Sequence, residues 1–494
     1  MRVILGGAQR TPAMAAGMVA GALALAPFLV VAGSSATAVA ALLLLVTVLA
    51  LVRGALLQWR TLFVLLLVAI LFLPIGRYRL PGDLPFQLEP YRLLVAFILA
   101  VWIGALLIDP RMKLVRSGFE GPILVIAVAT VGSVLANSQR IDELNVSSAV
   151  VKTVSFQLSF FLIFYFVLST IRWPIDVNLA IKTLVGGGVV VSVLAVIESR
   201  TGYNPFAHLS FIPGFEPRPD LTTTLPEDAA RYGKIRAFGP AQHPIALGAL
   251  LAILIPLAVY LGLATRRRLW WVAALVLAVG ANAAVSRTPM VMLAVSLLAV
   301  ILIRPREAVR YWPALIPALV VVHFALPGTL GSIRAQFFPK GGLIAEQEVH
   351  PGSQSSAGRV ADLSPSLDEA AQKPLFGQGV GTRITTGPAA NARLLDNQWL
   401  GTLLDVGVLG LVGWIWMIWR FLRRTGREAR HDHTERGWLL CALVASISGF
   451  AVGMFFYDAF AFIQVTFVFF FLLALGAAVL AQTPSTARDV ARPN

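Results

Sequence analysis

The chain has 494 residues, of which 57% are hydrophobic and only 13% are charged, and its formal net charge is +15. This composition excludes a soluble globular protein, and repeated apolar runs of about 17–25 residues predict transmembrane helices. The single cysteine, Cys441, excludes an intrachain disulfide and a cysteine-based metal site.

Taken in chain order, the apolar stretches predict an all-α polytopic membrane protein with 12–14 transmembrane helices and a best count of 14. The predicted spans are 14–33, 36–52, 61–75, 91–108, 119–136, 153–171, 178–198, 243–264, 269–285, 288–303, 311–327, 397–419, 437–456 and 459–481. The first run is long for a signal peptide, so we interpret it as a span.

The spans divide the chain into four parts around one long polar loop. The predicted parts are a membrane domain at 1–327, a large loop at 328–396, further spans at 397–482 and a short tail at 483–494. Loops of this length are usually functional or disordered, so the side of the membrane that the loop faces constrains the function.

The distribution of charge predicts the orientation. With the N-terminus inside, the inner loops contain 23 Lys and Arg and 8 Asp and Glu, whereas the outer side contains 17 of each. Since Lys and Arg favour cytoplasmic loops, we expect both termini to be cytoplasmic and the large loop to be external. The basic residues are scattered without interleaved aromatics, so nucleic-acid binding is not predicted.

The inner loops are short, and the longest is predicted at about 420–436. They leave no room for a nucleotide-binding domain, and the chain has no Gly-x-x-x-x-Gly-Lys-Ser/Thr motif. We therefore expect any chemistry at the outer face, where a lipid-linked substrate would fit better than a nucleotide-activated one.

Two candidate cations lie where outer segments enter spans. Arg236 precedes His243-Pro244, which opens the eighth span, and a fixed cation beside a helix N-terminus suits a phosphate. The alternative is an interfacial Arg/His pair beside a proline that starts a helix. Arg287 lies between spans nine and ten, which are joined almost without a linker. Its side chain is therefore expected to face a polar cavity or an anion. The alternative is that it extends to the outer lipid headgroups.

Asp396-Asn397 forms the third candidate, at the outer mouth of span twelve. A carboxylate there can act as a general base on a sugar hydroxyl, although Asp and Asn are also favoured helix N-caps. Asp405 lies nine residues on, roughly 13 Å deeper, as a partner for an arginine or a cavity-lining group. The six histidines show no metal-ligand spacing, so no metal is predicted.

The large loop contains two further features. Arg359 follows Ser355-Ser356-Ala357-Gly358, and apolar residues then recur at helical spacing although Pro365 interrupts them. Three glycines at positions 377, 379 and 381 predict a flexible turn. On its own this run is a weak signal, typical of an ordinary surface turn.

Together these segments resemble the O-antigen ligase and O-antigen polymerase family, Wzy-like and WaaL-like bacterial membrane glycosyltransferases. The matching segments, in order, are Arg236-x-x-Gly239-x-x-x-His243-Pro244, Ser286-Arg287, Gly358-Arg359 with Pro374-Leu375-Phe376-Gly377-Gln378-Gly379, and Asp396-Asn397-x₉-Gly407-Val408-Leu409-Gly410. The resemblance covers about 230–415. It departs from the ligases at Asp396, where they usually have His, and this suits a polymerase or an enzyme with another class of acceptor better.

The resemblance implies a GT-C-like fold in the bacterial cytoplasmic (inner) membrane, with the active site on the periplasmic side. It implies a metal-independent, inverting transfer from a polyprenyl-diphosphate-linked glycan to a glycan acceptor, without a cofactor and with a chain-length regulator as a partner. The implied catalytic residues are Arg236 and Arg287, which bind the diphosphate, and Asp396 as base. The implied substrate-binding residues also include Arg359, His243, Asn397 and Asp405.

Two alternatives remain open from the sequence. A ligase would move a finished glycan to lipid A-core, protein or another wall acceptor. A lipid-linked-glycan flippase or other transporter would also accept fourteen spans, but transporters typically show internal repeats, broken helices or polar residues at mid-span. Here the polar residues collect on the outer side.

Overall fold

The computed structural model describes residues 58–80, 89–109, 112–171, 174–212, 214–218, 230–231, 234–311, 362–385, 390–393 and 395–482, and three isolated helical positions at 317, 320 and 324. The described helices are α1 Trp59–Phe72, α2 Pro90–Ile108, α3 Glu120–Ala136, α4 Ser138–Glu143, α5 Ser147–Thr170, α6 Pro174–Thr201, α7 Pro244–Thr265, α8 Arg268–Ala283, α9 Arg287–Ile303, α10 Pro305–Tyr311, α11 Leu363–Gln372, α12 Gln398–His431, α13 Glu435–Gly453 and α14 Ile463–Ala481. Four two-residue strands are β1 Tyr78–Arg79, β2 Glu216–Pro217, β3 Ala230–Arg231 and β4 Lys234–Ile235.

Seven of these helices are long and apolar enough to cross a membrane, and α1, α3, α8 and α9 are shorter apolar helices. Eleven of the fourteen predicted spans coincide with these helices. The predicted spans 14–33 and 36–52 and almost all of 311–327 lie outside the described residues. The chain is a mostly helical, multi-pass membrane protein, as the composition predicts.

The core of the helix bundle is built around α7 and α14, which are buried along most of their length. Both are apolar on every side, and such a helix is stable only when neighbours surround it. The phenylalanines of α14 interlock with surrounding helices: Phe470 stacks on Phe160 of α5 at 5.2 Å, and Phe469 stacks on Phe450 of α13 at 4.1 Å. The helices at the edge, α2 and α5, have only about a third of their residues fully buried.

Contacts between connecting segments join loops that the predicted alternation assigns to the same face. On the predicted outer side, β1 pairs with β2 in an antiparallel register. On the predicted inner side, Arg60 is bound to Asp176 at 2.6 Å, and Arg420 donates to the carbonyl of Gly118 at 2.5 Å. Each of these contacts therefore joins segments at the same end of the helix bundle.

The predicted inner loop at 420–436 is wrong for most of its length, because α12 continues to His431. The segment is rich in arginine, which has a good helix propensity. Arg420 and Arg424 are held by the carbonyl of Gly118, so the helix extends beyond the apolar span. Only a short connection then leads to α13, which starts at Glu435.

Candidate functional site

Arg236 lies against the outer turn that joins α8 and α9. Its side chain is 8% exposed, and its Nε donates to the carbonyl of Ala284 at 3.4 Å. The next residue, Ala237, donates its N–H to the carbonyl of Ala283 at 3.0 Å. Since Arg287 begins α9 three residues after Ala284, the structure brings the two predicted cations onto adjacent segments.

The turn before Arg287 is strained. Val285 has a φ of +45°, which a β-branched residue adopts only when its surroundings enforce it. This tight turn lets Ser286, the buried N-cap residue of α9, follow α8 without a loop. Arg287 therefore stays half-buried at a helix N-terminus, where backbone N–H groups favour an anion.

A buried carboxylate, Glu198 of α6, fixes the segment that carries Arg236. Its Oε2 accepts from the N–H of Gly239 at 2.7 Å, and its Oε1 accepts from Asn204 Nδ2 at 2.9 Å. Asn204 also donates to the carbonyl of Gly239 at 3.0 Å. These bonds hold Gly239 at a φ of +53°, so the chain turns sharply between Arg236 and His243.

His243 is the N-cap of α7. Its Nδ1 accepts from the N–H of Ile245 at 3.1 Å, and its ring stacks on Phe462 with centroids 5.5 Å apart. Because Nδ1 is the acceptor, a neutral His243 carries its proton on Nε2. The structure thus gives His243 a capping role, and its predicted contact with the substrate stays a prediction.

At the mouth of α12, Asn397 rather than Asp396 caps the helix. The Oδ1 of Asn397 accepts from the N–H of Leu400 at 3.2 Å. The capping alternative that the sequence offered for Asp396 therefore applies to its neighbour. The half-buried Asp396 carboxylate lies just outside the helix start, a position suited to acid–base chemistry.

The turn between α13 and α14 is attached to the same mouth. Gln398 donates its N–H to the carbonyl of Met454 at 2.8 Å, and its Oε1 accepts from the N–H of Phe460 at 2.7 Å. Asp458 lies between these two anchors. Exclusion of water raises the pKa of the Asp458 carboxyl to about 6; the negative charge of Asp396 adds to the rise, and the N–H of Ala461 and Arg383 oppose it.

Asp405 lies deeper in α12 and faces Arg383, with the Arg383 Nη1 and Asp405 Oδ1 atoms 4.0 Å apart. The predicted arginine partner of Asp405 therefore exists and comes from the large loop. At 4.0 Å the pair is loose, and the Arg383 side chain is only 10% exposed. Arg383 also donates from Nη2 to the carbonyl of Arg393 at 3.1 Å, which fixes the guanidinium within the large loop.

The run of three glycines is not an ordinary surface turn. Gly377, Gly379 and Gly381 all have positive φ, and the segment 377–380 is buried against α3 and α12. Asn137 Nδ2 donates to the carbonyl of Gly377 at 3.1 Å. Ser133 Oγ accepts from the N–H of Val380 at 2.9 Å. We call residues 374–382 the glycine segment; it fixes the position of Arg383, which follows it.

An aromatic stack connects the two groups of candidates. His243 stacks on Phe462, and Phe462 stacks on Tyr457 at 5.7 Å. Tyr457 directly precedes Asp458. The cations Arg236 and Arg287 thus lie around the start of α7 and α9, and the carboxylates of Asp396 and Asp458 lie beyond the stack, all on the predicted outer side.

Sequence reasoning missed Arg383, Tyr457 and Asp458. Asp458 joins two spans almost without a linker, so the argument applied to Arg287 identifies it as well. Arg359 lies outside the described residues. Among the described residues, no group of three or more His, Cys, Asp or Glu side chains is placed to hold a metal ion.

The family comparison covers part of this site. Residues 272–415 match the Wzy_C model, described as O-antigen ligase. The match runs from α8 into α12, so it includes Arg287, Asp396 and Asp405, whereas Arg236 and His243 precede it. No curated protein matches the chain.

Proposed function

Because residues 272–415 carry an O-antigen ligase domain within a multi-pass membrane protein, we propose that this chain polymerises polyprenyl-diphosphate-linked oligosaccharide repeat units into O-antigen, exopolysaccharide or capsule. The domain supports glycosyl transfer of the ligase and polymerase type in general. The polymerase assignment, the outer-face location in the cytoplasmic membrane and the mechanism below are our proposal.

The placement of Asp396 is the observation that carries the proposal. Asn397 caps α12, and the half-buried Asp396 carboxylate lies just before the first residue of that helix. It is close enough to Asp458 for the two negative charges to interact. A carboxylate at this position can accept the proton of an acceptor hydroxyl.

Arg236 and Arg287 are the proposed diphosphate ligands. They come from adjacent segments, and Arg287 adds the N–H groups of a helix N-terminus. Guanidinium groups bind phosphate oxygens through charge-assisted hydrogen bonds and stabilise the negative charge that develops as the diphosphate leaves.

The transfer is a single inverting displacement. The acceptor hydroxyl oxygen attacks the anomeric carbon while Asp396 takes the hydroxyl proton. The bond between the anomeric carbon and the diphosphate oxygen breaks, and the polyprenyl diphosphate leaves with the electron pair. With two arginines compensating the charge, the residues need no divalent metal for this step. Arg359 is proposed to contribute to the same site from the large loop.

A direct assay tests this proposal. Purified protein in detergent is given a synthetic polyprenyl-diphosphate oligosaccharide with a chelator, and the products are separated on a gel. We expect a ladder of lengthening chains from the wild type, and a loss of roughly 100-fold or more in Arg287→Gln and Asp396→Asn. The control is Arg79→Gln, which changes a half-exposed outer arginine paired with Glu216. Full activity in both site variants would refute the site.

The ligase reading is the second candidate, because the matching family model is described as O-antigen ligase. In the same assay a ligase gives no product from the donor alone. It gives a single transfer once lipid A-core or another acceptor is added. Movement of labelled lipid-linked oligosaccharide across vesicles without elongation or transfer would instead indicate a flippase.

A further inference from the structure

A second group of cations lies on the predicted outer side, apart from Arg236 and Arg287. Its centre is Glu89, which is 2% exposed and immediately precedes α2. Glu89 Oε2 accepts from the N–H of Gly76 at 2.6 Å, and Oε1 accepts from Arg92 Nη2 at 2.7 Å. Arg218 Nη1 lies 3.7 Å from the same Oε1. Two guanidinium groups thus converge on one carboxylate.

A third cation, Lys152, belongs to the same group. The guanidinium carbon of Arg92 lies 4.8 Å from the centre of the Phe156 ring on α5. Lys152 lies one helical turn before Phe156, on the same side of α5, and its side chain is exposed. The four ionic side chains, which we call the Glu89 cluster, carry a formal charge of +2.

The Glu89 cluster lies above apolar surface. On α2, Leu93 and Phe97 are 48% and 49% exposed one turn apart, and on α5, Val151 is 62% exposed. Both helices are apolar enough to cross a membrane. Cations above a lipid-facing apolar surface match an amphiphile that has an anionic head and a hydrocarbon tail.

The Glu89 cluster is connected to the proposed active site. Arg218 donates its N–H to the carbonyl of Arg77 at 2.9 Å. The guanidinium carbon of Arg77 lies 5.7 Å from the centre of the Phe238 ring, two residues after Arg236. A backbone bond and a cation–π contact therefore connect the Glu89 cluster to the segment that carries Arg236.

We propose that the Glu89 cluster binds the diphosphate headgroup of a second polyprenyl-diphosphate-linked glycan, which serves as the acceptor. This inference rests on the proposed function, because polymerisation consumes two lipid-linked glycans and one pair of arginines holds only one diphosphate. A diphosphate diester carries a charge of −2, which the +2 of the Glu89 cluster balances.

The test measures binding separately from catalysis. The probe is a monosaccharide linked to a C15-prenyl diphosphate, and native mass spectrometry counts the lipids bound per chain. We expect two on the wild type and two on Arg92→Lys, which keeps the charge. We expect Lys152→Gln to weaken the second lipid about tenfold and to leave the first unchanged. The matched control is Lys182→Gln, an exposed lysine on α6 at the predicted inner side.

Kinetics give a second readout. With the donor saturating, Lys152→Gln should raise KM for the lipid-linked acceptor about tenfold and leave kcat close to the wild-type value. Equal binding of two lipids by Lys152→Gln and wild type would overturn the inference. So would equal displacement of the second lipid by phosphatidylglycerol, which indicates a general lipid site, or by inorganic pyrophosphate, which indicates that the tail is not recognised. An inactive wild type that still binds two lipids would refute the proposed function alone.

Discussion

Gly377 and Gly407 lie backbone to backbone where the glycine segment crosses α12, and a Cβ atom added to Gly377 would be 2.7 Å from the Gly407 nitrogen. Gly407 has a φ of +69°, which breaks the helix. In a regular helix the N–H of Val408 would donate to the carbonyl of Leu404. Here Val408 donates to Pro374 at 2.8 Å, and Leu404 accepts from Gln378 at 2.6 Å. The glycine segment therefore supplies hydrogen-bond partners for the Val408 N–H and the Leu404 carbonyl, which the break in the helix leaves without helical partners.

Gly407→Ala should therefore destabilise the protein. The backbone conformation of Gly407, with φ of +69° and ψ of −170°, costs an alanine about 1–3 kcal/mol, and its methyl group would collide with the carbonyl of Leu375. We expect a loss of about 3 kcal/mol or more in the free energy of unfolding, measured by thermal unfolding in detergent. The control is Gly401→Ala in the same helix, where nothing lies within 4 Å of an added Cβ. That change should be neutral or stabilise by up to about 1 kcal/mol.

Substitutions at the neighbouring residues Asp396 and Asn397 should distinguish a catalytic role from a helix-capping role. Asn397→Ala should cost about 1 kcal/mol of stability through loss of the cap, and Asn397→Asp should restore it. Asp396→Asn should leave the unfolding temperature unchanged and reduce the transfer rate by about 10²–10⁴-fold. Parallel rate and melting measurements check this, and an equal loss of stability in both variants would contradict a catalytic role for Asp396.

The raised pKa of Asp458 predicts a pH-dependent stability. Its pKa of about 6 exceeds the usual 3.8, so between these values the native state binds more protons than the unfolded state. The contribution of Asp458 to the free energy of unfolding is therefore greatest below about pH 4, and it is lost as the pH rises through 6. Asp458→Asn should remove a penalty of about 1–3 kcal/mol at pH 7.5.

The measurement is the difference in unfolding temperature between Asp458→Asn and wild type from pH 4 to 8. The difference should grow through pH 6 and then level off. Asp368→Asn, which changes an exposed acid on α11, should show no such growth. A flat difference for Asp458→Asn would mean that its carboxyl titrates normally.

Tyr457→Phe tests the buried hydroxyl of the aromatic stack. Tyr457 is 0% exposed, and its Oη has no hydrogen-bond partner among the described residues. Removing an unsatisfied buried hydroxyl should leave stability unchanged or raise it by about 1 kcal/mol. Thermal unfolding measures this directly. A loss of 2 kcal/mol or more would show that the hydroxyl is satisfied in the folded protein.

The membrane helices were predictable because long apolar runs signal them without knowledge of partners. The position of Arg287 between two apolar helices also followed from the missing linker, whereas the positive φ of Val285 did not. The glycine segment was not predictable, because its conformation depends on Ser133 and Asn137, more than 230 residues away in the sequence. The inner end of α12 was missed because a run of arginines indicates polarity and does not reveal the carbonyl that holds it.

Asn397 and Asp396 show a finer limit of the sequence. Both residue types cap helices, and only the bond from Leu400 identifies which one does so. Asp458 was missed although its local pattern was visible, because its relation to Asp396 depends on the anchoring of a turn that follows 60 residues later. Long-range packing therefore decides which of the polar residues at the outer mouth lie together.

The glycine segment also lies between an apolar surface groove along α3 and the backbone of α12. On the side of the glycine segment that faces α3, Phe376 forms one wall of an apolar groove of about 380 Å³. Val131 of α3, which also lines this groove, is 58% exposed. On the side that faces α12, the next residue, Gly377, contacts the backbone of Asp405. Residues 376 and 377 thus lie between the apolar groove along α3 and the half-buried Asp405. If this protein takes its substrate sideways from the bilayer, a substrate in the groove along α3 would be one residue away from the backbone of α12.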